Sequence, residues 1–356
     1  MSIEREIVAL LTSLGAVRVG FANLEALAGG PPSADLNYIM PGARSAVSFV
    51  LPENKEFIRL FLAKKDNLSH EKDHLTTTIR SGEISGKVKD FLESRGFKSA
   101  GTQGSGVYRR ELPDWKIQMY PNISHRYIAV RSGAASFGWS GNVGIKGYGA
   151  AILLGTVVTE AELEPTEPLP ESESFCCKCK LCAAVCVGRT FSAEEETSVT
   201  LGGRTFPFAK RTSYLTCHIV AGGMTGLHKS GQWSTWSPGR FRVPEDEKKL
   251  TEEYQRACTA YEKRVHVNDG GFPGDQFVGG RLRITCGLCA LVCTGNREEN
   301  EENFRLLTSS GCIVQDESGE KHVLPPDKAA ELFESFSDEH KSLYQEEMRL
   351  QKATTT

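Results

Sequence analysis

Apolar residues at Ile3, Ile7, Leu10, Leu11 and Leu14 recur at helical spacing, which predicts an amphipathic helix ending at Gly15. The period then shortens. Residues 45–51 (SAVSFVL), introduced by the turn Pro41-Gly42, form a β-rich run. Residues 150–159 (AAILLGTVVT) are apolar and β-branched, a buried strand expected to bend at Gly155. Between the two, Ile84, Val88, Phe91 and Leu92 mark a second amphipathic helix, with Gly96 as its stop. Helices and strands in this order predict an α/β (α+β) layered domain over residues 1–165.

The pattern breaks at residues 162–173, where three prolines and five glutamates describe an extended surface linker. A cysteine-rich module follows over residues 166–320. It holds a long insert, 190–283, whose glycines and tryptophans Trp233 and Trp236 suggest loops. With Arg240, those tryptophans are candidates for a lid over a substrate, or for a loop that covers a metal group. Glu194, Glu195 and Glu196 suggest a solvated loop or helix face, and residues 245–264 one exposed helix. A tail, 321–356, reads as one or two terminal helices.

Charge removes several function classes. Over 356 residues the net charge is −3 with both signs interspersed, so neither nucleic acid nor an anionic membrane surface is an expected partner. No apolar run approaches a membrane span. Glu4, Arg5 and Glu6 interrupt the N-terminal pattern that an export signal needs, which points to a cytoplasmic protein with reduced thiols. The odd cysteine count of eleven argues against a complete disulfide framework.

Those cysteines carry the chemistry. Cys176, Cys179, Cys182 and Cys186 have the spacing C-x2-C-x2-C-x3-C, the ferredoxin run whose fourth cysteine serves the other cluster of a pair. Three thiolates on a tight loop cover three corners of a cubane, while the fourth has turned away. Cys286, Cys289 and Cys293 supply a second group. The crossover predicts one [4Fe–4S] cluster on Cys176, Cys179, Cys182 and Cys293. It predicts a second on Cys186, Cys286, Cys289 and one further residue, for which Cys217 is chosen over Cys258 and Cys312. Zinc is the competing ligand of such cysteines, but zinc modules rarely show three at consecutive x2 spacing followed by x3. Cys177, Cys258 and Cys312 are read as small packing residues without metal. No dinucleotide or phosphate-loop glycine motif is present.

Residues 41–51 (PGARSAVSFVL), 137–141 (FGWSG), 148–155 (YGAAILLG), 159–165 (TEAELEP), 213–216 (SYLT) and both cysteine runs keep one order along the chain. In this the sequence resembles the epoxyqueuosine reductases and reductive dehalogenases, which are cobalamin-dependent iron–sulfur reductases. The resemblance implies a nitroreductase-like corrinoid-binding domain and a ferredoxin-like module. Electrons from an external ferredoxin or flavodoxin would pass through two [4Fe–4S] clusters to a base-off cobalamin, which reduces a small organic substrate under anaerobic conditions. It further implies that Gly138, Trp139, Gly141, Asn142, Tyr148 and Gly149 lie against the corrinoid. Where the family carries its acid there is no carboxylate, so Tyr120, His125 and Tyr127 become the candidate proton donors, with Arg126 or Arg131 as counter-ion to a phenolate. Asn142 replaces the family's basic residue, and Arg211 stands where the epoxyqueuosine enzymes have a cysteine. The alternative from a different class is a corrinoid-free, two-cluster electron-transfer protein that activates a partner.

Overall fold

In the computed structural model, residues 2–102, 107–113, 115, 120–212, 214–244, 246–265 and 284–345 are described. Four strands make the main sheet: β1 (Arg18–Asn23), β2 (Ser45–Pro52), β3 (Ser99–Thr102) and β6 (Ile152–Thr159), in the spatial order β1-β2-β6-β3. Every pairing is antiparallel, so the unit is α+β in construction. Gly155 does not bend β6. It stands opposite Phe49, and a Cβ there would meet the Phe49 ring at 2.0 Å, so the glycine makes room for an aromatic.

Helix α1 (Ile3–Ser13) and α5 (Leu68–Glu93) cover one face of the sheet, burying Ile7, Leu11, Ile84, Val88 and Leu92 against Phe49, Leu51 and Val157. Helix α6 (His125–Arg131) covers the other face, with Ile128 packed on Ala46 and Val158. Its N-cap Ser124 accepts from the Tyr127 N–H at 3.4 Å. The sheet therefore has two apolar faces, which is why its central strands read as continuous hydrophobic runs.

Helix α4 (Lys55–Leu62) leaves this unit. Its Ile58, Phe61 and Leu62 enter a second core with Val185, Leu288, Leu291 and Trp236, so the sheet domain and the cysteine-bearing segments share packed side chains. Trp233 and Trp236 are 2% and 7% exposed, and Trp236 donates its ring N–H to Phe61 O at 2.9 Å. These tryptophans build a core. The lid anticipated from the sequence is not where they lie.

The insert also holds a hairpin, β7 (Phe191–Leu201) and β8 (Arg204–Arg211), turned by Gly202 and Gly203 with φ +54° and +74°. Two successive positive φ values give the turn that matches strand twist, and glycine adopts them freely. Glu194, Glu195 and Glu196 lie on the exposed stretch of β7, with Glu195 paired to Lys210 of β8. Helix α9 (Glu247–Glu262) is amphipathic, burying Leu250, Ala257 and Tyr261; residues 266–283 of the insert lie outside the described residues. Past the second cysteine run come α11 (Arg297–Thr308), a hairpin of β9 (Cys312–Gln315) and β10 (Lys321–Leu324), and two short helices, α12 (Pro326–Ser335) and α13 (Asp338–Ser342). Among the described residues no helix is long and apolar enough to cross a membrane.

Candidate metal centre

Two short sequences share one design. In Cys179-Lys180-Leu181-Cys182 and Cys286-Gly287-Leu288-Cys289, the residue after the first cysteine is left-handed, Lys180 at φ 60° and Gly287 at φ 99°. Each is followed by a single helical turn, α7 (Leu181–Ala184) and α10 (Leu288–Leu291). The left-handed residue reverses the chain between two thiols, so both belong to one tight loop.

All eleven cysteines are free thiols. Nine of them fall into two neighbourhoods, and Cys258 and Cys312 pack elsewhere. Burial pushes the Cys182 thiol up to about 12, with Cys289, Cys293, Cys176 and Cys179 close enough to add to the shift. Cys293 is likewise pushed up to about 12 by burial, with Cys176, Cys179 and Cys177 beside it. Cys217 is pushed up to about 12 by the surrounding protein, and its thiol neighbours are Cys289 and Cys186. Burial raises Cys286 strongly, next to Cys289, Cys217 and Cys186. One neighbourhood thus holds Cys176, Cys179, Cys182 and Cys293 together with Cys177, the other Cys186, Cys217, Cys286 and Cys289. Cys182 and Cys289 stand where the two adjoin.

Burial disfavours the thiolates of Cys182, Cys286, Cys289 and Cys293. A cation or cluster with positive iron reverses that balance. Spacing discriminates between metals. Zinc at about 2.3 Å from each sulfur holds sulfurs roughly 3.8 Å apart. Among the described residues, no three of these sulfurs lie within 4.8 Å of one another. The wider arrangement suits a cubane, whose thiolates sit on separate irons.

The surroundings supply N–H donors to sulfur. The Trp139 amide donates to Cys176 Sγ at 3.3 Å, the Thr190 amide to Cys186 Sγ at 3.3 Å, and Asn142 Nδ2 to Cys289 Sγ at 3.2 Å. Asn300 Nδ2 faces Cys179 Sγ at 3.8 Å and Cys177 Sγ at 3.9 Å, while its Oδ1 accepts from the Thr294 N–H at 2.7 Å. Asn300 was missed in the sequence. Its signal is a polar, weakly helix-forming residue inside α11, where only a specific contact explains it.

The six residues expected against a corrinoid do not form one face. Asn142 meets Cys289, and a Cβ on Gly149 would lie 1.9 Å from Cys293 O. Phe208 and Arg211 of the β7–β8 hairpin cover Gly141. Tyr148 lies elsewhere, in a small pocket with Lys55, Arg59 and Cys293. Gly138 and Trp139 alone of the six line an open cleft of about 810 Å³, between the hairpin and the 168–174 linker. Gly141 and Gly149 serve close protein packing, so of the six residues only Gly138 and Trp139 border a space that could take a macrocycle.

The proton-donor candidates separate too. His125 is buried against the sheet, its Nδ1 at 2.8 Å from Thr156 Oγ1. Tyr127 is near Tyr120, Tyr214, Arg126 and Arg211, and burial raises its phenol above the ordinary value. Arg126 and Arg211 in turn neighbour Cys217. The structure therefore joins Tyr120 and Tyr127 to the second thiol neighbourhood through two arginines, and leaves His125 apart. Arg131 neighbours Arg204 and Glu167 instead.

No family model and no curated protein matches the chain. Solved structures do. The chain is similar to epoxyqueuosine reductases and to a reductive dehalogenase. An epoxyqueuosine reductase solved with a tRNA-Tyr stem loop is 18% identical over 53% of this chain and 52% of that one, with a TM-score of 0.36. The enzyme from Streptococcus thermophilus is 14% identical over 57% and 56%, TM-score 0.37. A catabolic reductive dehalogenase is 17% identical over 60% of this chain and 28% of its own, TM-score 0.45. The chain thus spans about half the length of these epoxyqueuosine reductases and 28% of the dehalogenase. At such low identity the chemistry rests on the chain's own residues.

Proposed function

We propose that this chain is an iron–sulfur oxidoreductase that reduces a small organic substrate with electrons from an external ferredoxin or flavodoxin. Cys176, Cys179, Cys182 and Cys293 hold one [4Fe–4S] cluster; Cys186, Cys217, Cys286 and Cys289 hold the other. When bound, such clusters supply one-electron transfer at low potential. The single observation that supports the reading is the exchange between loops: Cys293 of the second run neighbours Cys176 and Cys179, and Cys186 of the first neighbours Cys286 and Cys289.

The remaining roles come from this placement. Asn142 and Asn300 orient thiol sulfurs, and Tyr127, beside Arg126, is the group best placed to give a proton to reduced substrate. The sheet unit, residues 1–165, and the cysteine module, 166–320, act as one body through α4. The free thiols fit a reducing, cytoplasmic setting.

A corrinoid-dependent version is favoured by one observation, the cleft of about 810 Å³ beside Gly138 and Trp139, which lies within the usual size range for ligand pockets. The cobalamin would occupy that cleft and not the glycine turns. Anaerobic reconstitution with iron and sulfide tests the main reading: about eight iron per chain are expected, the number that two cubanes require. Tightly held zinc with no iron overturns it. Titration of the reconstituted protein with cobalamin separates the versions, since a base-off spectrum at stoichiometric binding appears only in the second.

A further inference from the structure

Arg126 and Arg211 press against consecutive carbonyls of one turn. Arg126 Nη1 donates to Gly141 O and Arg211 Nη2 to Ser140 O, each at 3.0 Å. The two guanidiniums stand close to one another. Neither has an ion-pair carboxylate among the described residues. Like charges enclosed together are costly unless an anion joins them.

Their donors are only partly used. The Tyr214 side chain stands beside Arg126, and the Nε of Arg211 is buried with no hydrogen-bond partner. Arg211 lies over the rings of Phe191 and Tyr214, at 5.3 and 5.1 Å. Cys217, Cys289 and Tyr127 all neighbour Arg211. A guanidinium fork matches the two oxygens of a carboxylate or phosphate, and adjacent aromatic rings suit an organic body attached to it.

Resting on the oxidoreductase reading, we infer that Arg126 and Arg211 form the recognition site for an oxyanion, carboxylate or phosphate, on the small organic substrate. The anion bridges the two forks. That holds the rest of the substrate between the thiols of the second neighbourhood and the Tyr127 phenol.

The test is calorimetric titration of iron-replete protein with benzoate, with inorganic phosphate, and with benzamide as the neutral analogue. Benzoate or phosphate should bind and benzamide should not; the stronger of the two anions identifies the class of oxyanion. Arg126→Gln and Arg211→Gln should each weaken binding at least tenfold with iron content unchanged. Should a glutamine variant lose iron, Arg211→Lys keeps the charge but not the fork, and must still bind severalfold more weakly. Iron-replete wild type that binds neither anion overturns the inference. So do variants of equal affinity whose cluster midpoint potentials alone have moved, because the arginines then serve only as counter-charge to the thiolates. Arginine-dependent benzoate binding by protein that takes up no iron would instead sink the oxidoreductase reading and leave this site standing.

Discussion

Asn142 donates its side-chain amide to Cys289 Sγ at 3.2 Å, across 147 residues of sequence. The contact ties the sheet unit to the second cysteine loop by a bond whose strength depends on charge at sulfur. A donor to a cluster sulfur favours the reduced, more negative state and so raises the midpoint potential. Losing a hydrogen bond worth about 1 kcal/mol corresponds to roughly 40 mV for one electron. Asn142→Leu should therefore lower the potential of one cluster by about that amount and leave the other where it was. Redox titration followed by electron paramagnetic resonance reads both; no movement in either would show that this amide does not face a ligated sulfur.

Cys217 distinguishes a ligand from a bystander. It neighbours Cys186 and Cys289, whereas Cys258 packs against the core of the cysteine module. Cys217→Ser should cut bound iron from about eight to about four, the content of the remaining cubane. Cys258→Ser should leave it whole. Full iron and both resonance signals in the Cys217 variant would reject the assignment.

Much of this arrangement was legible in the chain, and the reason is local. The β2 and β6 strands and the helices α1 and α5 follow from hydrophobic period, because each buries a continuous face. The cysteine spacings mark two tight loops, because the left-handed residue that turns each lies between its thiols. Long-range packing was not legible. Nothing in Phe208 or Arg211 announces that a hairpin from the insert will cover Gly141, and the glycines looked like a cradle for a flat cofactor for that reason. Trp233 and Trp236 misled in the same way. Their neighbours Phe61 and Lys64 lie some 170 residues earlier, so a buried core reads locally as a loop.

Gly149 lies directly against the second cysteine run. Its φ is +63°, the Ala150 N–H donates to Cys293 O at 3.1 Å, and a Cβ would fall 1.9 Å from that oxygen. Gly149→Ala must shift the Cys293 backbone, with a cost of about 1–3 kcal/mol for the strained dihedral before the clash is counted. Gly147 has φ +84° with nothing within 4 Å, so Gly147→Ala carries the dihedral cost alone. The first variant should lose stability and iron, the second only some stability. Thermal melts paired with iron analysis compare them; equal iron in both would mean that Cys293 tolerates the shift.

Lys64 is a buried amine, and it ties stability to pH. It is 5% exposed, donates to Ser310 Oγ, and lies 6.0 Å from the Trp233 ring centroid. Burial lowers its pKa from 10.5 to about 7, with Cys312 opposing the shift. Between those two values the unfolded chain binds the extra proton, so stability rises with pH across the window and reaches its lower plateau below about 7. At full effect the gap is worth roughly 5 kcal/mol. Lys64→Met keeps an apolar stem in the core and removes the titration, while Ser310 Oγ retains its bond to Leu307 O at 2.6 Å. The variant should melt several degrees higher than wild type at pH 7, and its melting temperature should change less between pH 7 and 10. A variant less stable at pH 7, with the wild-type pH slope intact, would show that the amine is stably protonated in the fold and that some other group carries the dependence.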